Sequence, residues 1–331
     1  MKNLTVGKIR GLQQISRRSG VFIMCAMDHR SGLITMMEEA KHKVPNFTEI
    51  VEMKYDMCST MGHHASGILL DPEYGAAQCI TSNALSGRTG LLVSVEATGY
   101  DPDPKGRITV LLKDWSVEKI KRMGASAVKI LLYYRPDIRK LADKQLKTIA
   151  KVADECIKYD IPFLVEPKTY RVEGEKMGSA EFAEKLPEMV IETARDITQL
   201  PVDVLKAEFP ADTKYEKDVK KLSEYCRRLD EASRIPWVIL SAGVDFETFR
   251  DQVTIACRAG ASGFLGGRAI WQEAMELAGR EERVKFFKTV AVKRLQELAE
   301  IAEKNGRPWP EKFGLKVSKL SEISEDWHSR Y

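Results

Sequence analysis

The chain has 331 residues, 44% hydrophobic and 30% charged, a composition too apolar for a disordered chain and ordinary for a folded globular one. Its 52 Lys and Arg are interspersed with 48 Asp and Glu for a net charge of +4, with no basic block or aromatic-plus-basic stripe, so no nucleic-acid partner is expected. No stretch reaches the roughly 18 uninterrupted apolar residues of a membrane span, and the polar start Met1-Lys2-Asn3 has no signal-peptide core, so no membrane partner and a cytoplasmic location are expected.

Short runs rich in Val, Ile and Leu alternate with long amphipathic stretches. Eight runs are found: Val21–Met27, Gly67–Leu70, Leu91–Val95, Ala127–Leu132, Pro162–Val165, Val202–Ala207, Trp237–Leu240 and Ser262–Leu265. Near-continuous apolar character is what strands of a parallel sheet need when both faces are covered. Helical patterns fill the intervals. Ser116 is placed to cap a short stripe of Val117, Ile120 and Met123 that stops at Gly124. Ile138, Ala142, Leu146, Ile149, Ala153 and Cys156 form a longer stripe, and Asp245 opens another that ends near Gly260. Strand and helix repeated eight times over about 250 residues predicts an α/β fold, a closed (β/α)8 TIM barrel. The competitor is a doubly wound open sheet. The turn after its first strand would carry a Gly-rich nucleotide fingerprint if it bound nucleotides, but here that turn runs Asp28-His29-Arg30-Ser31-Gly32. From Asn305 the pattern dissolves into Gly306, Pro308, Pro310 and Gly314. The expected organisation is one catalytic barrel domain over 1–305 and a C-terminal extension over 306–331.

The six cysteines are scattered with no C-x-x-C pair, which predicts reduced thiols rather than a zinc ribbon or redox dithiol. The adjacent His63 and His64 belong to no metal-ligand spacing, so no metal site is expected.

A barrel of this kind places its chemistry at the C-terminal ends of the strands. In the sixth run, strand alternation puts Val202, Val204, Lys206 and Glu208 on one face and Leu205, Ala207 and Phe209 on the other. If the second face meets the helices, Lys206 points into the mouth, where a desolvated amine loses its proton more readily and becomes a nucleophile. Lys129 is a second inward candidate in the fourth run, and repulsion between the two ammoniums would favour a neutral amine. The bland alternative is that either lysine snorkels at the rim or pairs with Glu208 or Glu166. Glu166 ends the fifth run, where desolvation is expected to raise its pKa and suit it to proton exchange, or else it forms a structural ion pair. Asp28 ends the first run beside His29 and Arg30, either orienting a substrate hydroxyl or capping the next helix. Runs seven and eight end in Leu240-Ser241-Ala242-Gly243 and Leu265-Gly266-Gly267-Arg268. Small-residue loops after strands seven and eight are the usual phosphate site of such barrels, with Arg268 adding a charged fork.

Val-Lys-Ile-Leu-Leu-Tyr-Tyr (128–134), Val-Asp-Val-Leu-Lys-Ala-Glu-Phe-Pro (202–210), Leu-Ser-Ala-Gly-Val (240–244) and Gly-Gly-Arg-Ala-Ile-Trp (266–271) resemble the class I tagatose 1,6-bisphosphate aldolase family. Glu96–Asp101 and Asp114–Val117 add to the likeness, which runs from about Gly20 to Ala278. Sulfofructose-phosphate aldolases are similar over the same stretches, above all Pro236–Gly243 and Ala259–Trp271. The resemblance implies a metal- and cofactor-independent Schiff-base aldolase that cleaves a phosphorylated ketohexose, such as tagatose 1,6-bisphosphate, to dihydroxyacetone phosphate and glyceraldehyde 3-phosphate. Lys206 matches the Schiff-base lysine and Glu166 the acid/base carboxylate, with Asp28 and Lys129 in the same pocket. Ser241, Gly243, Gly267 and Arg268 match the 1-phosphate site; Arg30 and His29 are further candidates for binding substrate, Arg30 at the far end of the sugar. The alternatives are a sulfofructose 1-phosphate aldolase and a non-catalytic sugar-phosphate sensor; a phosphorylated or sulfonated ketose is the expected partner, and a homo-oligomer is compatible with the sequence but not specified by it. Three departures stand out: His29 where glutamine is expected, a short segment after Pro210, and the extra C-terminal tail.

Overall fold

The computed structural model describes residues 4–103, 106–277, 279–315, 323–329 and 331. Eight parallel strands close into a barrel: β1 (Phe22–Ala26), β2 (Gly67–Leu70), β3 (Gly90–Ser94), β4 (Ala127–Tyr133), β5 (Phe163–Lys168), β6 (Val204–Ala207), β7 (Trp237–Leu240) and β8 (Gly263–Gly266). Each falls within or beside one of the eight apolar runs. The open-sheet alternative is excluded, because β1 pairs with both β2 and β8. That last seam depends on a glycine. Gly263 pairs with Phe22 at φ +123°, and a Cβ there would lie 2.0 Å from the Phe22 carbonyl oxygen, so a side chain would force the two strands apart.

The helices begin and end where local chemistry dictates. Ser116 accepts a hydrogen bond from the Lys119 amide at the start of α5 (Val117–Arg122), and Gly124 follows it in the left-handed region. Asp245 does the same for the Thr248 amide ahead of α9 (Phe246–Arg258), which Gly260 follows at φ +117°. The stripe from Ile138 becomes α6 (Arg139–Lys158), burying Ala142, Ile149, Ala153 and Cys156 against the barrel. Leu205 and Ala207 face Val190, Thr193 and Ala194 of α7 (Ala180–Ile197), so the other face of β6 is turned inward, as strand alternation requires.

At the N-terminal end of the barrel, α1 (Val6–Gln14) sends Lys8 to Asp203, 2.7 Å away, and the same Asp203 oxygen accepts from the Phe163 amide at 2.8 Å. Past Asn305, Trp309 is buried, its indole N–H donating to Ser16 Oγ at 3.1 Å, and Lys312 reaches Asp230 at 2.8 Å. All six cysteines are free and buried. Among the described residues no helix is long and apolar enough to cross a membrane.

Candidate active site

Strand register brings the charged residues together. Val165 is paired with Leu205, so one step along, Glu166 of β5 sits beside Lys206 of β6. Lys129 lies between Ser94 and Leu164 in the register of β3, β4 and β5. Its inward face continues through Leu131 and Tyr133, which line the mouth.

Glu166 links the two lysines. Its Oε1 is 2.8 Å from Lys206 Nζ and its Oε2 is 3.1 Å from Lys129 Nζ. Lys129 Nζ also meets Asp28 Oδ2 at 2.7 Å and Glu96 Oε1 at 2.8 Å, so three carboxylates surround one fully buried ammonium. Burial alone would lower the pKa of Lys129, but Asp28, Glu96 and Glu166 outweigh it and hold the ammonium well above the usual lysine range. The carboxylates respond in kind. Burial would raise Asp28, yet Lys129, Lys206 and His29 hold it below the usual carboxylate range.

Glu166 corrects the expectation of a raised pKa. Desolvation does push it upward, but Lys206 and then Lys129 lie close enough to reverse the sign, and its pKa is lowered. The ion-pair alternative weighed for Glu166 is the one the structure shows, with Lys206 and Lys129 both as partners.

The first loop places its three residues differently. Asp28 joins the charge cluster and caps no helix: Arg30 is the residue ahead of α2 (Ser31–Lys41), and no side-chain cap is present. Arg30 is buried, donating to Glu73 at 2.9 Å and to the Glu96 carbonyl at 2.8 Å. His29 packs edge-on against Trp271 with centroids 5.1 Å apart, and its Nδ1 is buried without a hydrogen-bond partner. Burial lowers its pKa to about 4, Asp28 opposing and Arg268 reinforcing the shift, so the imidazole is neutral at physiological pH.

Glu208, weighed above as a partner of Lys206, instead pairs with Lys168 and accepts from the Thr169 amide at 2.7 Å. Glu96 joins the site although the sequence reading gave it no role. Its signal was available, a carboxylate one residue past the apolar run ending at Val95, on the same rule that picked out Asp28 and Glu166.

After β7 and β8 the chain forms a compact cradle. Ala242 and Gly243 have φ +49° and +84°, and a Cβ on Gly243 would lie 2.9 Å from the Arg268 guanidinium carbon, so glycine lets that side chain lie flat over the turn. Ser241 Oγ accepts from the Gly267 amide at 3.3 Å. Among the described residues no carboxylate lies within 4 Å of the Arg268 guanidinium, which lines the cavity with Lys206 and Glu166. Burial lowers the Arg268 pKa, opposed by Glu166.

The mouth holds two adjoining lobes of about 180 Å³ each. Lys206, Glu166, His29, Leu131 and Tyr133 line both; Ser241, Gly267 and Arg268 line only the first, and Asp28, Arg30, Glu96 and Lys129 only the second. An elongated ligand lying across both would present its middle to Lys206 and one end to the cradle. Gly243 enters through its turn rather than the cavity wall. Among the described residues, no group of three or more His, Cys, Asp or Glu side chains is arranged to hold a metal ion.

A model of the DeoC/LacD family aldolases matches residues 22–273. The tagatose 1,6-diphosphate aldolases of Staphylococcus aureus strains MSSA476 and JH9 are each 34% identical over 322 residues, covering 92% of this chain and 98% of theirs. Among solved structures, a Schiff-base-forming fructose-1,6-bisphosphate aldolase superposes with a TM-score of 0.58 at 20% identity, covering 88% of this chain and 98% of that one. The fructose-bisphosphate aldolase from Plasmodium falciparum reaches a TM-score of 0.71 at 16% identity, covering 92% and 98%. The structural likenesses concern the barrel; the sequence matches span β1 to β8 and the cradle, and they identify this chain as an enzyme, a member of the DeoC/LacD family of aldolases.

Proposed function

We propose that the chain is a Schiff-base aldolase that cleaves a phosphorylated ketohexose, tagatose 1,6-bisphosphate being the substrate its relatives suggest, to dihydroxyacetone phosphate and glyceraldehyde 3-phosphate. The observation that carries the reading is the Lys206–Glu166 pair at 2.8 Å in a cavity shared with the uncompensated Arg268 guanidinium.

The substrate's 1-phosphate lies on the cradle, held by Arg268, Ser241 and the backbone of Gly243 and Gly267. This sets C2 beside Lys206. Glu166, already ionised, accepts the proton that Lys206 must shed, and the neutral amine attacks C2 to give a carbinolamine. Glu166 then returns the proton to the departing hydroxyl, water leaves, and a protonated imine forms. Removal of the C4 hydroxyl proton by a carboxylate of the cluster lets the C3–C4 electron pair pass into the imine, releasing the aldehyde and leaving an enamine. Protonation at C3 and addition of water free dihydroxyacetone phosphate and Lys206. Lys129 is the fixed cation that keeps Glu166 and Asp28 ionised, Asp28 orients hydroxyls, and His29 and Arg30 lie toward the far end of the sugar. The orphaned Nδ1 of His29 and Oε2 of Glu96 are polar atoms available to that end.

Borohydride added with substrate should trap a reduced adduct on Lys206, located by peptide mass, and Lys206→Ala should lose both trapping and cleavage. Trapping on another lysine, or full activity in the alanine variant, would overturn the proposal. Triose phosphate release from a panel including fructose and tagatose 1,6-bisphosphates and sulfofructose 1-phosphate tests the substrate, and activity that survives a chelator is expected. Ligand-induced stabilisation without any turnover across that panel would favour a sensor.

A further inference from the structure

The opposite end of the barrel holds a cavity of about 690 Å³, far larger than either lobe of the mouth. Ser66, Gly90 and Ser126 form part of its wall; they stand at the starts of β2, β3 and β4, so the cavity opens on the N-terminal face, away from Lys206. Four guanidinium groups line it: Arg10 from α1, Arg17 and Arg18 from the turn into β1, and Arg88 from the loop before β3. No described Asp or Glu lines the cavity, and none of the four arginines has a carboxylate within 4 Å among the described residues. Arg17 gives one Nη to the His64 carbonyl at 2.6 Å, while its Nε is buried with no hydrogen-bond partner.

The recess on α6 is different: beside Lys147, Lys151 and Lys158 it also holds Asp154 and Glu155. Four like charges around one concavity repel one another and raise its potential, which an anion would relieve. Guanidinium forks match phosphoryl oxygens in pairs, and the volume falls within the roughly 300–1,000 Å³ of small-molecule sites.

We propose that this cavity is a second ligand site, for a small soluble anion bearing at least two phosphoryl groups. Arg17 is its fixed element, Arg10, Arg18 and Arg88 close on the ligand from the rim, and the Ser86 and Thr89 hydroxyls supply neutral contacts. A recess rather than a flat or convex surface favours a compact metabolite over a lipid bilayer. The site stands whether or not the chemistry at Lys206 is as proposed, because it shares no residue with the mouth.

Inorganic tripolyphosphate is a suitable probe, titrated calorimetrically into the full chain at physiological salt, with Arg268→Ala as the background so that the cradle does not contribute. One site per chain is expected. Adding Arg10→Glu and Arg88→Glu, both exposed, should weaken binding at least tenfold, and the neutral pair Arg10→Gln and Arg88→Gln should weaken it by an intermediate factor while keeping the unliganded melting temperature. Lys147→Glu with Lys151→Glu should leave affinity unchanged. Unaltered affinity in both arginine pairs would overturn the site, and equal loss in the lysine pair would reduce it to diffuse attraction. Inorganic phosphate binding as tightly as tripolyphosphate would overturn the polyphosphoryl class, and co-sedimentation with phosphatidylinositol bisphosphate vesicles would overturn the soluble ligand.

Discussion

Glu166 Oε1 lies 2.8 Å from Lys206 Nζ, a direct ion pair across the β5–β6 seam of the barrel mouth. The other oxygen of the same carboxylate is tied to Lys129, so Glu166 can change its bond to Lys206 while its position stays fixed.

Glu166→Gln keeps the shape and removes the proton-carrying group. It should lower kcat by about 10²–10⁴, the range of a positioned acid/base group. Steady-state kinetics check this; a fall below threefold would remove Glu166 from proton transfer.

Arg268→Ala removes the uncompensated fork of the cradle. Charged hydrogen bonds are worth about 1.5–3 kcal/mol, so KM for a ketose 1-phosphate should rise about 10- to 100-fold. A 1-dephospho substrate analogue, with nothing to lose at the cradle, should be affected far less, and comparing the two rises is the measurement.

His29 binds no proton in the folded state until about pH 4, whereas the unfolded chain protonates it near 6.5. Between those values the unfolded state carries the extra proton, so stability at this site falls as pH drops from about 6.5 to about 4 and is level outside that window. The loss is on the order of 3 kcal/mol. Urea unfolding at a series of pH values should show it, and His29→Gln should flatten that part of the curve.

Lys129→Met leaves Asp28, Glu96 and Glu166 gathered with no ammonium at their centre. Removing one partner from a buried ionic cluster costs about 3–5 kcal/mol, so thermal unfolding should move sharply lower. Lys8→Met removes the ammonium beside Asp203 but leaves that carboxylate the Phe163 amide, so it should cost less, while kcat measured well below the transition stays near wild type. Together the two variants separate a stabilising ion pair from one that also serves the mouth.

Local patterning made the barrel legible. Eight apolar runs at strand length, the caps at Ser116 and Asp245, and the glycines after Met123 and Ala259 each express a short-range preference that depends on neighbours a few residues away. Inward placement of Lys206 followed from the period of two along β6, and the cradle from small residues at two strand ends. What required the tertiary structure was everything set by contacts between segments distant in the chain: Glu96 converging with Asp28 on Lys129, Glu208 turning to Lys168, the lowered pKa of Glu166, and four arginines from three segments meeting at the far end of the barrel. The difference is physical: periodicity decides which way a side chain points, but the sign of an electrostatic shift depends on distances of 3 to 4 Å between residues that only the closed register brings together.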